Sequence, residues 1–174
     1  MNDVRRFTTD YIAVEDRIRM SVEHRDRSVQ ILWLTRPLLK NLLVALIKAI
    51  DAAPSVGNDV DDVSMKGTAY KRFTQQAAEA SLTSQSPVRA PSSDTQAVVA
   101  MLVTSITVRK EQTVLTMEFN GGDRLLEAIP FSTEALRQWL AVLYKCYRRA
   151  DWEGDFWPTW IKAPSPLVGA ARLN

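Results

Sequence analysis

The chain has 174 residues, 46% of them hydrophobic and 24% charged, with a net charge of +2. That length and balance suit one globular domain with a sizeable core, exclude a disordered chain, and disfavour a protein that lives on nucleic acid through a basic arm. A single cysteine, Cys146, excludes an intrachain disulfide and any Cys-cluster zinc site, and a single histidine, His24, excludes a metal site built on several histidines.

The first residues, MNDVRRFTTDYIAVEDRIR, lack the apolar run of a secretory leader. No uninterrupted apolar stretch is long enough for a membrane span. The expectation is a soluble cytoplasmic protein with no membrane association.

In chain order, FTTDYIAV (7–14) reads as a first strand. RIRMSVE (17–23) alternates cleanly, with Ile18, Met20 and Val22 on one face and Arg17, Arg19, Ser21 and Glu23 on the other. HRDR (24–27) reads as a hairpin turn and SVQILWL (28–34) as the returning strand. Thr35 is placed as an N-cap and Pro37 in the first turn of a helix. That helix carries Leu38, Leu39, Leu42, Leu43, Leu46, Ile47 and Ile50 on one stripe and ends at Ala-Ala-Pro 52–54.

Residues 55–66 read as an acidic loop, and 67–81 as a second helix with Tyr70, Phe73 and Ala77 on one side. The Ser/Pro-rich stretch around 81–95 has linker composition. QAVVAMLVTSITV (96–108) predicts one long central strand buried on both faces. QTVLTMEF (112–119) and RLLEAIPF (124–131) flank NGGD, a hairpin signal because Asn and Gly tolerate positive φ. Ser132 or Thr133 caps a last helix with Leu136, Trp139, Leu140, Leu143, Tyr144 and Tyr147 on one stripe.

The two halves echo each other at a constant offset. Ile18, Met20 and Val22 fall on Leu115, Met117 and Phe119, and Leu32 and Leu34 on Ile129 and Phe131. Thr35 falls on Ser132, and Leu39, Leu43 and Leu46 fall on Leu136, Leu140 and Leu143. Each half has one apolar sheet face and one apolar helix stripe, and neither buries both alone. The predicted class is α+β: an antiparallel sheet or small β-sandwich with flanking helices, built from two strand–hairpin–helix halves. Residues 1–150 form one domain, and the Trp/Pro-rich tail 151–174 packs on it.

Combinations that carry catalysis are sparse. His24 falls in the turn, where a solvated role is expected, and Cys146 falls in an apolar helical pattern as a small core side chain. Asp59, Asp61 and Asp62 lack the Gly and Glu of a calcium loop. Glu118 and Glu127 are placed facing each other on the wet face of the second hairpin and, with the loop carrying Asp59, Asp61 and Asp62, are the candidate carboxylate sites. No phosphate-binding glycine loop occurs. The expectation is no catalytic residue, no cofactor and no metal.

Two sets of residues suggest binding. Arg17, Arg19, Arg25 and Arg27 are the candidate nucleic-acid contacts. Trp152, Phe156, Trp157 and Trp160, within DWEGDFWPTW, are the candidate partner-binding aromatics, set against a lid role on the chain's own core. Gly154 and Pro158 are read as stopping the last helix.

The order VQILWLT, helical insert, then SITVRKEQTVLTMEFNGGDRLLEAIPFSTEALRQWLAVL as strand–strand–strand–helix resembles the β-sandwich head domains of end-joining DNA-repair scaffolds and centriolar cartwheel proteins. It is a resemblance of pattern over residues 7–149, with no motif that transfers a functional residue. Those heads continue their last helix as a dimerising coiled coil, whereas no heptads follow Ala150 here. The resemblance implies a non-catalytic head for self-association or partner docking. The functional expectation is thus a non-enzymatic interaction or scaffold module that associates with itself or another protein. Its alternatives are a nucleic-acid-associated factor and an enzyme with a carboxylate site.

Overall fold

A computed structural model describes residues 3–52, 63–82, 86–88, 99–112, 114–152 and 154–162, with backbone alone for 63–66. The acidic loop with Asp59, Asp61 and Asp62, most of the linker and residues 163–174 lie outside the described residues.

Among the described residues, seven strands and four α-helices follow in the order β1 (Val4–Ile12), β2 (Arg17–His24), β3 (Val29–Leu34), α1 (Arg36–Asp51), α2 (Val63–Ala80), β4 (Val99–Leu102), β5 (Ser105–Glu111), β6 (Val114–Gly121), β7 (Arg124–Phe131), α3 (Thr133–Arg149) and α4 (Thr159–Lys162). The class is α+β. One sheet has the order β1-β2-β3-β4 and the other β5-β6-β7. All pairings are antiparallel except β3–β4, which is parallel because the chain returns through α1 and α2.

Within the stretch 96–108, the described residues from Val99 on form two strands in two sheets, correcting the single buried central strand. Val103 donates its N–H to Trp33 O in the first sheet, and Thr104 donates to Asn120 O in the second. The chain changes sheets between two residues. Both resulting strands lie at sheet edges, so Val99, Leu102 and Val108 are 51%, 43% and 40% exposed. Apolar β-branched composition predicts a strand but does not say how many of its faces are covered.

The two hairpin–helix units share one core. Ile18, Met20, Val22, Leu32 and Leu34 join Met117, Phe119, Ile129 and Phe131 there, with Leu39 and Leu43 of α1 and Leu140 and Leu143 of α3. In helix α2, Tyr70, Phe73 and Ala77 share a side, and it faces solvent; Gly67, Gln75 and Ala78 are buried. Gln75 donates to Arg137 O, so a polar side chain and not an aromatic fastens α2 to α3. No described helix is long and apolar enough to cross a membrane.

Candidate functional site

A cleft of about 800 Å³ opens along β1, the free edge of the first sheet. Every residue from Val4 to Asp10 lines it. Successive strand side chains point to opposite faces, so an unbroken run of lining residues means that the cleft follows the strand edge and not one face. Trp139, Val142, Gln138 and Lys145 of α3 form one wall, Ile129 and Pro130 of β7 another, and Leu82 and Pro87 a rim. The helix is set against the strand by Trp139 Nε1, which donates to Thr9 Oγ1 at 3.1 Å, and by Arg149, which pairs with Asp10 at 2.6 Å. Phe7 meets Phe131 edge-on at 5.6 Å across the floor.

The cleft is electropositive. Arg5, Arg6, Arg19 and Lys145 line it against one carboxylate, Asp10. Arg5 and Arg6 both reach Glu23, at 2.8 and 2.6 Å, and the Arg6 hydrogen bond leads in holding the Glu23 carboxyl below its ordinary value. Arg19 and Lys145 have no ion-pair partner among the described residues. The alternation of β2 placed Arg19 on its polar face but did not show that Lys145 lines the same cleft, because a helix and a strand more than a hundred residues apart meet only in the fold.

Arg17 and Arg19 both lie on the outer face of β2, with Trp33 opposite Arg19. Arg25 and Arg27 stand apart at the hairpin tip. Arg25 is taken by Asp3 at 2.7 Å, and Arg27 occupies the left-handed region at φ 67°. The four arginines therefore do not form one surface.

His24 is a correction. It is the last residue of β2 and 3% exposed, not a solvated turn residue. It continues the inward phase of Ile18, Met20 and Val22, a signal present in the alternation itself. Glu127 is likewise on the inward phase of Ile129 and Phe131 and 6% exposed. Glu118 points outward to Arg109 at 2.7 Å, so Glu118 and Glu127 occupy opposite faces and form no paired site. The structure instead joins His24 Nε2 to Glu127 Oε2 at 2.6 Å and His24 Nδ1 to Ser28 Oγ at 3.1 Å.

Ser28, His24 and Glu127 have the residue types of a nucleophile–base–acid relay. The hydroxyl is directed elsewhere, because Ser28 Oγ donates to Asp26 Oδ1 at 2.6 Å and Asp26 also accepts from Ser28 N. Those bonds hold the Asp26 carboxyl below its ordinary value, as expected for a hairpin stabilised by an Asp side chain. None of these four residues lines the cleft. The arrangement fastens the first hairpin to the second sheet. Among the described residues, no group of three His, Cys, Asp or Glu is placed to hold a metal ion.

Trp152, Trp157 and Trp160 are 7%, 4% and 4% exposed and belong to the core; Phe156 is half-buried. Three of the four candidate partner aromatics are thus withdrawn from the surface. Helix α3 ends in a Schellman motif, with Asp151 left-handed at φ 52°, Trp152 N donating to Tyr147 O and Asp151 N to Arg148 O. The helix therefore stops before Gly154 and Pro158 act. Gly154 has another role: an added Cβ would lie 2.4 Å from the Trp157 ring.

The tail then runs back along α3 and spans α1. Trp152 packs on Tyr147 at 5.1 Å and under Arg36 at the start of α1, and it donates to Asp16 at 3.0 Å. Trp157 meets Tyr144 and Tyr147. Trp160 lies under Arg137, near the start of α3, and donates to Asp51 at the end of α1. Burial lowers the pKa of Arg137 and is its leading influence. Cys146, behind this strap, is buried, and desolvation pushes its thiol up to about 11. It does not itself line the cleft and is a core side chain.

No family model, curated protein or solved structure matches the chain.

Proposed function

We propose that this chain is a non-enzymatic interaction module whose binding surface is the cleft between the β1 edge and α3. The observation that carries the reading is the unbroken lining of that cleft by Val4 to Asp10, beside an apolar helix wall. A free strand edge next to a helix offers main-chain hydrogen bonds and side-chain pockets together. His24 and Glu127 are buried, Ser28 is half-buried and directed to Asp26, and none of them lines this cleft. The resemblance to docking heads points the same way. Self-association and a cytoplasmic location remain part of the proposal, and sedimentation across micromolar concentrations tests the first.

The direct test is selection from a random peptide library on the immobilised chain. The expected result is an enriched sequence family whose binding is lost in Val142→Arg, which fills the helix wall. Enrichment of nothing, or peptides that bind Val142→Arg undiminished, overturns the reading. The nucleic-acid alternative rests on Arg17 and Arg19, neither with an ion-pair partner among the described residues. A low-salt mobility shift abolished by Arg17→Glu/Arg19→Glu would favour it.

A further inference from the structure

Resting on that reading of the cleft, we infer that its occupant is an extended, acidic peptide segment that adds to β1 as a further strand. Strand addition needs an edge with free backbone groups, and proteins normally blunt such edges with proline, inward charge or a covering element. Two edges border the cleft, β1 and β7. Pro130 lies in β7 and lines the cleft, so that edge lacks one N–H where a strand would need it. β1 carries no proline. Its outward backbone groups have no described backbone partner beyond β2; the one such bond nearby joins Arg25 N to Asp3 O, just before the strand. Among the described residues, Ser86 and Val88 reach β1 through its side chains: Arg6 donates to Ser86 O, and Val88 N donates to Thr8 Oγ1. Among the described residues, no backbone group pairs with β1 on its outer side along the length that lines the cleft.

The chemistry of the occupant follows from the walls. Alternate side chains of an added strand point to the two sides of the sheet. One side meets Trp139, Val142, Ile129 and Pro130 and selects apolar residues. The other meets Arg19 and, with Lys145 on the α3 wall, the cleft favours carboxylates. Asp10 does not cancel this charge, because Arg149 already holds it. A second copy of the chain is disfavoured as occupant. Pairing β1 with β1 would set Arg5, Arg6, Arg19 and Lys145 of one copy near the same residues of the other.

The probe is a synthetic peptide of about seven residues alternating valine and glutamate, long enough to run from Val4 to Asp10. The full chain is titrated with it while amide hydrogen exchange is followed. The expected result is saturable binding with new protection confined to β1. The same peptide N-methylated on alternate amides should not bind, a control that needs no protein variant. Arg19→Glu/Lys145→Glu should weaken the glutamate peptide by about tenfold or more and improve a valine–lysine one.

Equal binding of the N-methylated peptide, protection elsewhere, or indifference to the charge reversal overturns the inference. So does concentration-dependent protection of β1 without peptide, which would make a second copy the occupant. If library selection enriches a family that is neutral or helical, this inference fails while the interaction module stands. If nothing is enriched, the module itself fails.

Discussion

The two hairpin–helix units are built alike and finished differently. Ile18, Met20 and Val22 in one, and Met117, Phe119 and Ile129 in the other, fill the same core from the same strand phase. Both helices start after a hydroxyl residue, yet only Ser132 caps with its side chain, accepting from Ala135 N at 3.1 Å; Thr35 makes no such bond. Only α3 continues into an aromatic strap that ties it to α1. In the first unit both hairpin strands are paired on their far sides, by β1 and β4, whereas β7 of the second has a bare edge. Repetition thus supplies the core, and the unmatched additions decide which units are fastened and which edges stay open.

Removing those additions should break the comparison in graded steps. Deleting residues 151–174 removes the strap between α1 and α3, and cooperative thermal unfolding should be lost. Trp157→Ala should destabilise by about 3–5 kcal/mol in urea titration, as for truncation of a buried large aromatic. His24→Ala, which leaves Glu127 buried without its partner, should cost a similar amount of about 3–5 kcal/mol. Glu127→Gln keeps an acceptor oxygen and should cost less. If His24→Ala is neutral, the two sheets are held by apolar packing alone.

Gly154→Ala pushes a methyl into the Trp157 ring and should cost about 1–3 kcal/mol. Ser132→Ala should cost about 1 kcal/mol and Thr35→Ala only a few tenths, measured by the same titration, because only the first removes a cap bond. Equal losses would mean that the two helix starts do not differ.

The smallest effect is at Cys146. At neutral pH it should resist maleimide in the folded chain and react on unfolding, because burial raises its thiol from 9.0 to about 11. Tyr147 is raised from 10.0 to about 12 for the same reason. Both folded pKa values lie above the unfolded ones. The folded state therefore keeps protons that the unfolded chain releases, and stability present below pH 9 should fall as pH rises toward 12. A circular-dichroism melt series over that range checks the sign, and a flat profile would contradict the burial of both groups.

The sequence by itself determined what is local. Alternation in RIRMSVE, the NGGD turn, the leucine stripes and the caps each follow from neighbours a few residues apart, and both hairpin–helix units were legible from them. The inward phase of His24 and Glu127 was also legible, but polar residues were assigned to solvent by type instead of by period. Tertiary structure alone decided the rest. It split 99–108 between two sheets, turned Tyr70 and Phe73 outward, buried three tryptophans in a strap, and brought Lys145 into the cleft along β1. Periodicity says which face of an element is apolar. Which neighbour covers that face, and which strand edge is left without one, depends on contacts between residues far apart in the chain, and local pattern carries no record of them.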